Sequence, residues 1–280
     1  MTDAQMQTIA REMNLSETVF LFPDAPDGGI PVRIFTPGRE VPFAGHPTVG
    51  AACFLATAGR IKLEDGHGEA ILNERVGPVP VRVRAVSGEP PFARLTAAGD
   101  PVVDPAHIPL ADLAGMVGLT EEDLDAELEG EPAAPAFASV GLPFLVLPVR
   151  DVDAASRAQL NATLRDQLLS DDAPSQMIYL VAPGGADGAD LHVRMFAPEI
   201  GVPEDPATGS AAAALGGYLG GRLPEGLHRR ILEQGIEMGR PSRIELEVDV
   251  REGRVAEISV GGHAVPVTRG TLELLDESGS

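Results

Sequence analysis

The chain repeats itself at half its own length, and that repeat limits the folds open to it. VRIFTPGREVPFAGHPTVGAACFLA begins at Val32, and VRMFAPEIGVPEDPATGSAAAALGGYL begins at Val193. Val32, Arg33, Phe35, Pro37, Val41 and Pro42 recur in order as Val193, Arg194, Phe196, Pro198, Val202 and Pro203. Thr48, Ala51 and Ala52 recur as Thr208, Ala211 and Ala212, one residue out of step with the rest. A short repeat period of roughly 20–50 residues marks a solenoid or propeller. A repeat of half a 280-residue chain predicts two similar lobes instead.

Each copy reads as an apolar strand, a Pro-rich loop and then a helix, predicted over about 49–58 and 209–220 with Thr48 and Thr208 as N-caps. Neither helix carries a charge. A helix apolar on every side is buried on every side, and small residues suit one threaded through a curled sheet. ETVFLF, AILNERVG and VPVRVRAV supply strands to the first lobe. FLVLPV, QMIYLVA, RIELEVDV and VAEISV supply the second. Residues 98–135 read as a helical, Pro/Ala-rich connection, with the boundary near 130–136. The expected fold is α+β: two pseudo-symmetric lobes, 1–130 and 131–280, each a β-barrel-like sheet wrapped around a central apolar helix.

Such a duplication points to a site. If equivalent faces of the lobes meet, two helix N-termini converge on one cleft, and their free N–H groups attract a small carboxylate. Gly45, Gly209 and Ser210 would let backbone approach that ligand closely; the alternative is that these residues only relieve crowding at a helix start. His46 and Asp205 occupy corresponding loops. They are candidates to orient a substrate or share a proton, against the alternatives of a backbone-bonded His and a local turn cap before Pro206. Upstream, Met6, Ile9, Ala10 and Met13 sit at helical spacing, so residues 3–13 form a short helix that Asn14 ends in the left-handed region. Glu17 then begins the strand ETVFLF, a position where glutamate is ordinarily solvated.

Composition removes other functions. With 21 basic against 42 acidic residues the net charge is −21. That argues against a nucleic-acid binder, which needs a basic face, and equally disfavours anionic membranes. A bound anion must therefore be drawn by local dipoles. The chain is 44% hydrophobic with no Trp, so its cores are aliphatic. No apolar run reaches the ~18 residues of a membrane span, and no signal sequence is visible. Cys53 is the single cysteine and no internal disulfide can form, so a cytoplasmic location is expected. Lys62 is the single lysine, in the charged turn RIKLEDG, which leaves little for Schiff-base chemistry. There is no phosphate-binding loop, no dinucleotide fingerprint and no HExxH, and the six histidines are scattered. No cofactor and no metal are expected.

MQTIAREMNLSETVF, VPFAGHPTVGAA and FAPEIGVPEDPATGSAAAAL resemble the signature segments of the PhzF-like (phenazine biosynthesis) family, in order and across most of the chain. That family is similar in fold to diaminopimelate epimerase. The resemblance places an acid/base Glu on Glu17, its supporting His on His46, an Asp on Asp205, a Ser on Ser210 and substrate-side glycines on Gly45 and Gly209. It implies a homodimeric, cofactor-independent isomerase that moves a proton on a small carboxylate, with trans-2,3-dihydro-3-hydroxyanthranilate as the reference substrate. A two-cysteine racemase is excluded, since Cys53 stands alone in AACFLA and reads as core. An epimerase or isomerase of another small amino acid, or a non-catalytic carboxylate binder, remains open. By the same resemblance the first lobe lacks a strand pair ahead of the helix over 3–13, leaving truncation, a partner segment or an open edge as explanations.

Overall fold

The computed structural model describes residues 1–273 except 27 and 171. The end of the expected second span, 274–280, lies outside them.

The first half begins with α1 (Asp3–Met13). Thr2 and Gln5 cap it reciprocally, and Asn14 ends it in the left-handed region at φ 50°. Its buried face, Met6 and Ala10, packs on Phe35. Arg33 reaches back to Asp3 at 2.6 Å and fixes the helix over the sheet. There follow β1 (Thr18–Leu21), β2 (Ile30–Phe35) and the short β3 (Glu40–Val41). Next come α2 (Gly45–Thr57) and a meander of β4 (His67–Glu74), β5 (Gly77–Arg84) and β6 (Phe92–Thr96). Strict alternation in VPVRVR buries Val79, Val81 and Val83 against α2.

The second half opens with β7 (Val102–Pro105), α3 (Leu110–Met116), β8 (Ala126–Leu128) and β9 (Glu131–Ala133). It continues through β10 (Ala136–Val140), β11 (Leu142–Pro148), α4 (Val152–Arg157), α5 (Ala162–Leu168) and β12 (Ile178–Pro183). β13 (Leu191–Ala197), β14 (Val202–Asp205), α6 (Gly209–Gly220), β15 (Gly226–Gln234), β16 (Ser242–Arg251) and β17 (Arg254–His263) complete it. α6 lies in a core walled by β10, β11, β16 and β17. A separate core packs α3, α4 and α5 on the other face of β11 and β12.

Among the described residues one large mixed sheet runs β1-β2-β4-β5-β6-β17-β16-β15-β13-β12-β11-β10-β7, with β3 and β14 branching from β2 and β13. The seam between the halves is an antiparallel pair, β6 with β17, in which Leu95 faces Val260. Arg94 clamps it, 2.8 Å from Glu245 and 2.6 Å from Glu247. The two repeated segments enter the sheet alike. Ile30 and Pro31 pair in parallel with Leu72 and Asn73, and Leu191 and His192 pair in parallel with Leu232 and Glu233.

Several sequence expectations need correction. α2 starts at Gly45, not near 49, so Thr48 lies inside the helix and Ala44 holds the N-cap position. The Pro47 ring fits the first turn, where its missing N–H costs nothing. α2 is not covered on every side, because Phe54 is exposed. α6 meets that expectation, buried from Ala211 to Gly220. The connection over 98–135 is not only helical: β7 pairs with β10 across it.

Candidate active site

The repeat brings the two helix starts into contact. A Cβ placed on Gly45 would stand 3.3 Å from Gly209 Cα, so the backbones of α2 and α6 touch where each helix begins. Neither N-terminus is closed by a side-chain cap: Ala44 has none to offer, and the Thr208 hydroxyl turns elsewhere. The first-turn N–H groups of both helices are therefore available to a ligand. A cavity of about 980 Å³ opens at this junction. Gly45, His46, Gly209 and Ser210 line it, with Ser16 and an apolar wall that includes Val49, Val79, Leu95 and Val260.

α1 and its left-handed Asn14 deliver Glu17 to the same place. Glu17 Oε2 is buried and lies 3.0 Å from His46 Nε2. Its side chain is 19% exposed and that of His46, which lines the cavity, 43%. Burial opposes charge on His46, but Glu17, the Asp205 charge and the Ala207 backbone outweigh it, and the imidazole is held above the ordinary histidine value.

Asp205 ends β14 and is buried. Burial pushes its carboxyl upward, aided by the Glu17 charge and opposed by the Thr208 hydrogen bond, His46 and Arg240. Thr208 Oγ1 donates to Asp205 Oδ2 at 2.6 Å, and Gln234 Nε2 donates to Thr208 Oγ1 at 2.9 Å and to the Asp205 carbonyl at 2.7 Å. Tyr179, fully buried, donates to Gln234 Oε1 at 3.4 Å. This network fixes the loop over 205–208 at the start of α6.

The six sequence candidates thus cluster, but not equally. Gly45, His46, Gly209 and Ser210 line the cavity, whereas Glu17 and Asp205 do not: Glu17 touches His46 from outside the lining, and Asp205 lies near enough for its charge to act on His46. Sequence reading missed Gln234, because β15 was not anticipated, and it missed Arg240 and Arg243, which also line the cavity. The arrangement offers a carboxylate–imidazole pair for proton transfer, beside donors that hold an anion. Cys53 is buried in the core, where burial pushes its thiol up to about 11, so it has no part in this chemistry.

The chain and its large mixed sheet are similar to known proteins. The chain is 40% identical over 278 residues to an uncharacterized isomerase of Mesorhizobium japonicum, covering 95% of this chain and 88% of that one. It is 34% identical over 279 residues to the trans-2,3-dihydro-3-hydroxyanthranilate isomerase of Pseudomonas chlororaphis, covering 96% and 88%. The crystal structure of the Bacillus anthracis phenazine biosynthesis protein of the PhzF family superposes with a TM-score of 0.83 at 25% identity, over 96% of this chain and 88% of that chain. The class these define is an isomerase of mixed α/β fold. The model of the PhzC-PhzF family, the phenazine biosynthesis-like proteins, matches residues 1–270, and the chain belongs to that family.

Proposed function

We propose that this isomerase moves a proton on a small cyclic or amino-acid-like carboxylate, with Glu17 as the acid/base and no cofactor. The observation that carries the reading is Glu17 held beside His46 where the uncapped starts of α2 and α6 meet. The substrate carboxylate lies against first-turn N–H groups of both helices, with Gly45 and Gly209 permitting the approach. Ser210 supplies a further hydroxyl, and Arg240 and Arg243 bring positive charge to the cavity. In a chain of net charge −21 such local donors decide whether an anion enters at all.

Glu17 Oε2 is turned toward His46, which leaves Oε1 for the substrate. Oε1 removes a proton from a ring carbon. The released electron pair delocalises through the conjugated system, and the resulting carboxylic acid delivers the same proton to another carbon on that face. His46 and buried Asp205 hold the charge balance around Glu17, and the helix N-termini stabilise negative charge as it develops. A cavity of about 980 Å³ with a largely aliphatic wall suits a substrate with an apolar ring behind its carboxylate. The reading includes two pseudo-symmetric barrel-like lobes, supported by the matching strand pairings of Ile30–Leu72 and Leu191–Leu232. It also includes a homodimer, by family resemblance, and a cytoplasmic location, from the single cysteine and the sequence pattern.

The test is turnover of trans-2,3-dihydro-3-hydroxyanthranilate, followed by one-dimensional NMR. Isomerisation at a rate of roughly 1 s⁻¹ or faster supports the reading. Binding without turnover of this and other small cyclic amino acids would make the protein a carboxylate binder instead.

A further inference from the structure

Glu74, at the end of β4, lies outside the cavity lining and outside the chemistry above. It is 7% exposed, and its Oε1 is 2.6 Å from Thr48 Oγ1 in the second turn of α2. Its other oxygen, Oε2, is buried with no hydrogen-bond partner among the described residues. Thr48 Oγ1 is also 2.7 Å from the carbonyl of Ala44, the N-cap residue of α2. A hydroxyl carries one proton, and a carbonyl and a carboxylate both only accept. Thr48 therefore satisfies both neighbours only if Glu74 keeps its own proton and donates it to Thr48 Oγ1, while Thr48 donates to Ala44.

The second half of the molecule holds the same position with a residue that cannot lose its donor. His192 pairs with Glu233 and Val193 with Gln234; Pro31, one residue before the repeated Val-Arg pair as His192 is, pairs with Asn73. Glu74 therefore corresponds to Gln234, and Thr48 corresponds to Thr208. Gln234 Nε2 donates to Thr208 Oγ1 at 2.9 Å, and Thr208 Oγ1 donates to Asp205 Oδ2 at 2.6 Å. A neutral carboxylic acid has the shape and the donor of that amide.

We propose that Glu74, kept as a neutral acid, is a positioning residue that holds the first turn of α2, and with it Gly45 and His46, at the cleft. Burial raises its carboxyl to about 7, against the opposing effect of Thr48. Among the described residues no ion pair offsets this. On the elements around it Arg33 and Arg75 are taken by Glu40, His46 by Glu17, and Arg82 and Arg84 by Glu69 and Glu89. When Glu74 ionises, Thr48 must turn its proton from Ala44 to the carboxylate, and the N-cap carbonyl of α2 loses that bond. α2 then loosens at the residues facing the substrate.

The test compares wild type with Glu74→Gln and Glu74→Leu. Infrared spectra at pH 6 should show a buried protonated-carboxyl band that Glu74→Gln removes. The folded acid binds its proton more tightly than the unfolded one, so wild type loses stability relative to Glu74→Gln as pH rises from 4.5 to about 7. Their Tm difference should widen by roughly 5 °C over that interval and then stay level. The kinetic arm rests on the isomerase reading. Glu74→Gln should keep kcat and KM within about twofold of wild type at pH 6 and lack a wild-type fall in kcat near pH 7; Glu74→Leu should lose kcat roughly tenfold at every pH. No band to remove, a constant Tm difference, or a Glu74→Gln chain that fails to fold overturns the proposal. Absence of turnover in wild type sinks only the isomerase reading, because the infrared and stability arms need no substrate.

Discussion

At the scale of single residues, the cleft is set by two glycines whose backbones touch. A Cβ on Gly45 would stand 3.3 Å from Gly209 Cα, and one on Gly209 would stand 3.5 Å from Gly45 Cα. The first is tighter than ordinary packing and meets backbone, which cannot rotate away; the second is an ordinary contact. Alanine at a helical site returns up to ~1 kcal/mol of propensity, against ~1–3 kcal/mol for crowding. We expect Gly45→Ala to change Tm little but to lower kcat/KM on the order of tenfold, by pushing the two helix starts apart. Gly209→Ala should lose less, and equal losses would contradict the contact as the cause. The His46 and Asp205 loops were legible because the repeat wrote that loop twice, and Gly45 and Gly209 because they are small residues beside the two helix starts. Glu17 was not: nothing local marks it, and only the family resemblance singled it out. Gln234 and Glu74 stayed hidden because their partners are brought near by strand register, which spacing along the chain does not reveal.

At the scale of elements, α6 explains its own composition. Glycine inside a helix costs ~1 kcal/mol against alanine, yet GSAAAALGGYLG carries Gly216, Gly217 and Gly220. A Cβ would come within 3.0 Å of Ile258 and Leu246 at Gly216, 2.7 Å of Pro101 at Gly217 and 2.1 Å of Val255 at Gly220. At Gly217 and Gly220 a side chain would fit only if its neighbours shifted. Gly217→Ala and Gly220→Ala should each destabilise by ~1–3 kcal/mol in urea denaturation despite the better propensity; a stabilised variant would contradict this packing. The uncharged run announced α6 as buried, and its bounds were legible to the residue. α2 was read too late because Thr48 looked like a cap, whereas its hydroxyl serves Ala44 and Glu74 from inside the helix.

At the scale of the whole molecule, stability follows pH through a buried triad. His192 lies 2.7 Å from Glu233 and 2.9 Å from Glu237. Burial disfavours its charge, but the two carboxylates win and raise it above 6.5, while Glu237, which burial alone would push up, is drawn down to about 2 by His192. The His192 contribution is complete below pH 6.5 and fades as pH climbs through its folded value. The Glu237 contribution is complete above pH 4.5 and fades as pH falls toward 2. His192→Asn should therefore cost most, ~3 kcal/mol, between these limits, and less on either side. Urea denaturation at pH 3, 5.5 and 9 checks it; a cost independent of pH would mean that packing, not charge, holds the triad. The expectation of two lobes, each around one helix, came from the repeat. That the strands join in one sheet through β6 and β17 did not, because strand pairing across the halves leaves no periodic trace.

The central claim is that Glu17 carries the proton, and solvent exchange tests it most directly. Wild type and Glu17→Gln would be incubated with trans-2,3-dihydro-3-hydroxyanthranilate in D₂O, and deuterium at each ring carbon read by NMR. We predict isomerisation in wild type, with deuterium at the receiving carbon to the extent that the proton held on Glu17 exchanges with solvent before it is delivered. In a folded Glu17→Gln both should fall by at least ~10²-fold. Undiminished exchange in Glu17→Gln would contradict the account and move the acid/base to His46 or Asp205.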